Sequence, residues 1–259
     1  MKIAVWGDSE ELDVYECFMA VSAMASLIDN EKVIAIQGGC GPRKIDFGFS
    51  TAKVNSVMKE DFGYYNSRGI DQIITRAISS ELTTEHMWDN FVHVPKSRLF
   101  FLPASRKCID ELLFEDMNCS IEYILKVLEK MQEKIFISTD CGRGEISDKI
   151  LSKADMVIIC IGQRPHSISR DILEDTDIMN KAVFVITDYE SSSRYNIGNI
   201  RRKYNLNPQR IFYMPHNAGF KDAVCEGKTY DFIKKNLLVK PEHDNYEFIN
   251  MIRKLSVAV

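Results

Sequence analysis

The chain has 259 residues, of which 45% are hydrophobic and 27% are charged, and its formal net charge is −4 at pH 7. This composition is typical of an ordinary globular protein with room for one large α/β domain. The acidic balance argues against a dedicated nucleic-acid binder. No apolar run reaches the roughly 18 residues that a membrane-spanning helix needs.

The seven cysteines are scattered, odd in number and without C-x-x-C spacing. The first residues carry one lysine followed directly by a strand-like run, which does not resemble an export signal. We therefore expect reduced thiols, no metal site and a cytoplasmic location.

Apolar runs without alternation predict parallel strands that are covered on both faces. The strand-like runs are Lys2–Trp6, Val33–Ile36, Leu99–Leu102, Ile135–Thr139, Met156–Ile161, Ala182–Thr187 and Arg210–Met214. Helical patterns lie between them. The alternation predicts an α/β fold of three layers, α/β/α, around a doubly wound, mostly parallel sheet of about seven strands.

Three segments have clear helical patterns. Glu16–Ile28, an apolar helix rich in small residues, follows the first strand. The other two have one apolar face: Ser120–Gln132, with Ser120 as its predicted N-cap, and Asn245–Leu255, the last helix. The last helix has few cations on its polar side, so we expect it to pack on the sheet and not on a membrane.

No Pro/Gly/Ser-rich linker divides the sequence, which predicts a single domain over residues 1–259. Its least regular part is an insertion over about 38–95. Helix candidates within it are Gly69–Ser80 and Glu81–Phe91. Such insertions often carry contacts to partners.

The loop after the first strand has an unusual composition. A strand, a tight loop and a helix are the usual setting of a phosphate-binding P-loop, but here the loop reads GDSEELDVY, without the glycines, lysine and Ser/Thr of that motif. It carries the carboxylates Asp8, Glu10, Glu11 and Asp13. Each would repel a phosphate at ~4 Å by about 1 kcal/mol in water and by more when buried. The setting of a nucleotide switch is present, and its phosphate site is lost.

Three later segments follow in a characteristic order. Lys134–Ile161 reads as a strand ending in Asp140, a CGRG turn, a helix, an Ala-Asp pair and another strand. Ala182–Asp188 (AVFVITD) and Ile211–Lys228, with its MPHN run, come after it. In this order, and over nearly its whole length, the chain resembles the MinD/ParA-like (SIMIBI-class) P-loop ATPases, with a degenerate Walker A loop.

The resemblance implies where a nucleotide region would lie. In such switches an acidic residue at a strand end holds the Mg²⁺-bound water, and the following turn senses the γ-phosphate. The matching residues are Asp140, Gly142 and Gly144, as a vestigial switch and Mg-nucleotide region, with Asp8 and Ser9 in the degenerate loop. Both lysines of the family's loop are missing, and the position of Ser9 does not suit the Mg²⁺-binding hydroxyl.

We therefore expect no catalytic residue, no cofactor and no ATP hydrolysis. The closest resemblance in kind is to the TadZ/CpaE-like proteins, which position pilus or secretion machinery and also have degenerate phosphate loops. It implies a noncatalytic localisation or assembly factor, a homodimer, and protein partners in a membrane-associated apparatus. These partners would bring it to the membrane or cell pole. Direct membrane insertion and nucleic-acid binding are not expected.

Two alternatives stay open. One is an active, atypical ATPase that uses ATP and Mg²⁺ for partition of a plasmid or conjugative element, with a cation such as Arg43 or Lys44 replacing the lost lysine. The other is a small-molecule enzyme on the same scaffold, with Asp140 and Cys141 in the chemistry, since one fold hosts many functions.

Overall fold

The computed structural model describes residues 1–9, 12–40, 44–50, 68–105, 110–139, 141–164, 166 and 168–259. Its strands are β1 (Lys2–Gly7), β2 (Val33–Gln37), β3 (Val92–His93), β4 (Leu99–Phe101), β5 (Lys134–Ser138), β6 (Met156–Ile161), β7 (Ala182–Tyr189) and β8 (Ile211–Pro215). Its α-helices are α1 (Val14–Ile28), α2 (Ile45–Phe49), α3 (Ile70–Ile78), α4 (Thr84–Asn90), α5 (Asp110–Leu128), α6 (Glu145–Lys153), α7 (Arg170–Glu174), α8 (Thr176–Lys181), α9 (Ile197–Tyr204), α10 (Ala218–Cys225), α11 (Thr229–Asn236) and α12 (Tyr246–Ala258).

In the described residues these strands form one eight-stranded sheet in the order β3-β4-β2-β5-β1-β6-β7-β8. All pairings are parallel except that of β3 with β4. The predicted doubly wound, mostly parallel sheet is confirmed. The additional strand β3 was not predicted, because two residues are too few to produce a periodic pattern.

Two hydrophobic clusters cover the two faces of the sheet. Helices α1, α2, α10, α11 and α12 contribute to one cluster, and α3 to α9 contribute to the other. Successive residues of β1 point to opposite clusters: Ile3 and Val5 to the first, Ala4 and Trp6 to the second. The predicted three-layer α/β/α arrangement follows from this division.

Helix α5 begins well before its predicted start. The prediction that Ser120 is an N-cap is wrong: its side chain is buried inside the helix, and its hydroxyl donates to the Asp116 carbonyl at 2.7 Å. The buried residues Leu113 and Met117 extend the apolar stripe of the helix toward its start at Asp110. A serine can cap a helix or bond back within it, and the upstream apolar residues decide between the two.

The predicted insertion over 38–95 contains helices α2, α3 and α4 and strand β3. Residues 41–43 and 51–67 of it lie outside the described residues. The single domain over 1–259 stays a prediction.

The last helix packs on the body of the protein, as predicted. Its residues Phe248, Ile249, Ile252 and Leu255 are buried in the same hydrophobic cluster as α1. Among the helices that the structure describes, none is both long enough and apolar enough to cross a lipid bilayer.

We expect Leu255→Ala to lower the free energy of unfolding by about 2–5 kcal/mol, because it leaves a cavity between α12 and α1. Val257, two residues further along the same helix, is 74% exposed, so Val257→Ala should change that free energy by about 0.5 kcal/mol or less. Urea unfolding of both variants measures the difference. Equal values for the two would contradict the packing of α12.

Candidate functional site

The candidate site lies at the carboxyl edge of the sheet, over strand β1. Strands β1 and β5 are neighbours, and the helices that follow them, α1 and α6, lie on opposite faces. The loops after such strands diverge and leave a crevice, which is where doubly wound proteins bind ligands. The loop from β1 to α1 and the turn from β5 to α6 form the two walls here.

Two hydrogen bonds join these walls. The Gly142 N–H donates to the Gly7 carbonyl at 2.9 Å, and Trp6 Nε1 donates to the Gly142 carbonyl at 2.8 Å. Gly142 has φ +75°, a left-handed conformation that favours glycine. The indole of Trp6 is buried. The turn after β5 is therefore fixed to the end of β1 by the protein's own backbone.

Arg143 holds the same turn from the other side. Its Nε lies 2.6 Å from Asp148 Oδ1 in α6, and its guanidinium also lies 3.2 Å from Asp175 Oδ2 before α8. The Ile178 backbone N–H and then Arg143 lower the pKa of Asp175. The carboxylate stays ionised, and the arginine stays paired, across the neutral range.

An apolar side chain covers the strand ends. A methyl group placed on Gly7 would lie 3.2 Å from Leu12 Cδ1 and 2.5 Å from Val14 Cγ2. A methyl group on Gly162, which follows β6, would lie 3.3 Å from Leu12 Cδ2. Leu12 thus lies across the ends of β1 and β6, at the place where a P-loop would wrap a phosphate.

The first turn of α1 carries its own anions. Asp13 takes the N-cap position, but its carboxylate makes no capping hydrogen bond. Glu16, one turn into the helix, is 8% exposed. A helix N-terminus attracts anions, and here the two carboxylates of the chain already lie in that field.

The carboxylate of Asp13 pairs with a lysine from a distant part of the chain. Lys221 Nζ, in α10, lies 3.0 Å from Asp13 Oδ2 and 3.0 Å from Asp188 Oδ1 at the end of β7. His216 Nδ1, after β8, lies 2.6 Å from the same Asp188 oxygen. The sequence analysis named none of Asp188, His216 and Lys221 as a site residue, although Asp188 and His216 lie at the ends of β7 and β8. Lys221 lies within α10, and no pattern in the sequence places it near Asp13.

Opposite charges set the protonation of this cluster. Partial burial on its own would raise the pKa of Asp188, but hydrogen bonds from His216 and Lys221 lower it below its ordinary value. Burial alone would lower the pKa of Lys221, and its bonds to Asp13 and Asp188 raise it. The ion pairs of Lys221 with Asp13 and Asp188 are intact at neutral pH.

The predicted site residues are partly brought together. Asp8 is exposed and Ser9 half-buried after β1, and Gly142 lies beside the end of that strand. Gly144 opens α6 in an extended conformation, with free space around it. Asp140 lies outside the described residues. Their role in binding stays a prediction.

Of the two cations considered as replacements for the lost lysine, the structure describes only Lys44. Arg43 lies outside the described residues. Lys44 Nζ donates to the Ser105 carbonyl at 2.6 Å, near the end of β4. The lysine that contacts the residues before α1 is Lys221, through its ion pair with Asp13.

Two thiols lie beneath the loop. Cys17 in α1 and Cys160 in β6 are both fully buried. The Cys160 thiol donates a hydrogen bond to Cys17, and this bond, together with burial, raises the pKa of Cys160 well above its ordinary value. Across the part of the chain that the structure describes, no group of three His, Cys, Asp or Glu side chains is placed to hold a metal ion.

The fold is that of the ParA and MinD ATPases. The chain is similar to a ParA family ATPase from Chlorobium tepidum TLS, with a TM-score of 0.70 and 13% identity over 99% of this chain and 97% of that one. It is similar to MinD in the MinC:MinD cell division complex of Aquifex aeolicus, with a TM-score of 0.67 and 13% identity over 99% and 93%. A third similar structure is MinD from Pyrococcus horikoshii OT3 complexed with Mg-ADP, with a TM-score of 0.62 and 13% identity over 98% and 93%. No family model and no curated protein matches the sequence.

The lowered pKa of Asp188 predicts a pH-dependent contribution to stability. Its ionised form is favoured by folding, so the contribution is present above about pH 4 and is lost as the pH falls through the lowered pKa. Because Asp188 is 49% exposed, the contribution is no more than about 1 kcal/mol. In Asp188→Asn, the difference from wild type in unfolding free energy should be largest at pH 6–7 and shrink below about pH 4.

Urea unfolding between pH 3 and pH 7 measures this difference. Asp244→Asn, at an exposed aspartate, is the control and should give a small, flat difference. A pH-independent difference for Asp188→Asn would contradict the role of the ion pairs.

Proposed function

We propose that the protein is a MinD/ParA-type switch protein that no longer hydrolyses ATP and that acts as a localisation or assembly factor. The position of Leu12 over the ends of β1 and β6 carries this proposal. A phosphate bound there would have to displace this half-buried side chain into water, which costs part of the ~1.5–3 kcal/mol of a fully buried leucine, on the order of 1 kcal/mol.

The negative charges at the start of α1 also oppose phosphate binding. Asp13 and the buried Glu16 lie in the first turn of α1, where a P-loop would offer positive potential to a triphosphate. Each carboxylate near a phosphate adds about 1 kcal/mol of repulsion at ~4 Å in water and several times more where the site is partly buried. Lys221 does not restore an anion site, because its ammonium is shared between two carboxylates.

The contacts of the turn after β5 support the proposal that this turn no longer switches. A switch turn that senses a phosphate must have two arrangements. Here Gly142 is bonded to Gly7 and Trp6, and Arg143 is bonded to Asp148 and Asp175. We infer that this turn keeps one arrangement in the absence of nucleotide. The homodimer that the family resemblance implies would then form without ATP.

The partner system is inferred from the resemblance to the TadZ/CpaE-like proteins. This resemblance points to a pilus or secretion apparatus as the partner. Proteins of that apparatus would bind this protein in the cytoplasm and bring it to the membrane or cell pole. One structural neighbour, MinD of Aquifex aeolicus, is seen in complex with MinC. Binding to a partner protein is therefore compatible with this fold.

In isothermal titration with ATP and Mg²⁺, we expect no binding by the wild-type protein at concentrations up to the millimolar range. Asp140→Ala is the matched control, because Asp140 is the residue that would hold the Mg²⁺-bound water. Micromolar binding that Asp140→Ala abolishes would overturn the proposal and favour the atypical ATPase.

In size-exclusion chromatography with light scattering, we expect a dimer without nucleotide, unchanged by ATP and Mg²⁺. A ligand shifts an equilibrium only by its differential affinity for two states. Because the turn after β5 is held in one arrangement, ATP has no second state to favour. A monomer that becomes a dimer only with ATP would contradict the inference.

A further inference from the structure

Four charged or titratable side chains from separate elements form a chain at the carboxyl edge, which we call the edge cluster: Asp13, Asp188, His216 and Lys221. The Lys221 ammonium is 3.0 Å from a carboxylate oxygen of Asp13 and 3.0 Å from one of Asp188. His216 Nδ1 lies 2.6 Å from the same oxygen of Asp188. The cluster thus connects the loop before α1, the end of β7, the end of β8 and helix α10.

The backbone at Asp188 is strained in a way that suits this connection. Asp188 has φ +50°, and the pairing of β7 with β8 is irregular between Ile186 and Tyr189. A non-glycine residue in the left-handed region is uncommon and needs surrounding contacts to hold it. The irregularity turns the Asp188 carboxylate toward α10 and β8, where His216 and Lys221 meet it.

The cluster is partly shielded from water at its centre. The side chain of Asp13 is 18% exposed and that of Lys221 is 34% exposed, whereas Asp188 and His216 are about half exposed. Ion pairs that are partly shielded are stronger and less screened by salt than exposed ones. The Asp13–Lys221 pair is the more shielded of the two that Lys221 makes.

We propose that Lys221 is a latch that keeps the carboxyl edge closed. By pairing with Asp13 it holds α10 against the start of α1, and by pairing with Asp188 it anchors that contact to the sheet. Separation of α10 from the start of α1 then requires both pairs to break. The latch is a contact of the proposed nucleotide-free state, and in that sense it rests on the proposed function.

Hydrogen exchange measured by mass spectrometry tests the latch. In Lys221→Met, which keeps the apolar stem and removes the charge, amides of residues 12–17 and 216–221 should exchange about threefold to tenfold faster than in wild type. Amides of β4 and β5 should not change. Lys228→Met is the matched control: Lys228 pairs only locally, with Glu226 two residues away, and this variant should leave both segments as in wild type.

Asp13→Asn gives an independent readout, since it keeps Lys221 and its pair with Asp188. We expect a smaller increase than in Lys221→Met, confined to residues 12–17, and the double variant should exchange no faster there than Lys221→Met alone. Unchanged exchange in folded Lys221→Met, or fully additive effects in the double variant, would overturn the latch. If Lys221→Met does not fold, unchanged exchange in Asp13→Asn would overturn it.

The two proposals fail in distinguishable ways. Binding of ATP by the wild-type protein would overturn the nucleotide-free function and leave the exchange result standing. Unchanged exchange would overturn the latch and leave the titration result standing.

Discussion

The position of Gly7 depends on the burial of β1, and the rest of the edge depends on Gly7. Strand β1 lies between β5 and β6 with parallel pairing on both sides, and all six of its residues are buried. Its end cannot shift without disturbing both hydrophobic clusters. The carbonyl of Gly7 is therefore a fixed acceptor for the Gly142 N–H, and this hydrogen bond determines the position of the turn after β5.

The sequence predicts the framework of this fold well, because buried parallel strands leave continuous apolar runs such as that of Met156–Ile161. It predicts element ends less well. The start of α5 was misplaced because a serine inside an apolar stripe resembles a cap, and β3 is too short to show any period. The edge cluster was missed for a different reason. Asp13 and Lys221 are far apart in sequence, and only the order of the strands brings them together.

Three effects work against a phosphate at this edge, and they differ in their response to salt. Repulsion by one carboxylate is about 1 kcal/mol in water and more where the group is shielded, as Asp13 and Glu16 are, and salt weakens it only partly there. Exposing the half-buried Leu12 costs on the order of 1 kcal/mol, and this cost is not electrostatic. The backbone bond of Gly142 is worth about 1 kcal/mol net, but breaking it also releases the buried indole N–H of Trp6. The three effects are therefore of similar size, and the contributions of Leu12 and of the Gly142 hydrogen bond are the ones that salt changes least.

The buried thiols under the loop have a chemical consequence. A thiol reacts as its thiolate, and the raised pKa of Cys160 keeps that group protonated at neutral pH. Cys119 in α5 and Cys225 in α10 are exposed instead. Among the cysteines that the structure describes, an alkylating reagent would thus modify these two first. Cys17 and Cys160, which are fully buried in the core, would be modified only in molecules that unfold locally or globally, so the rate of their labelling reports how often this part of the core becomes accessible.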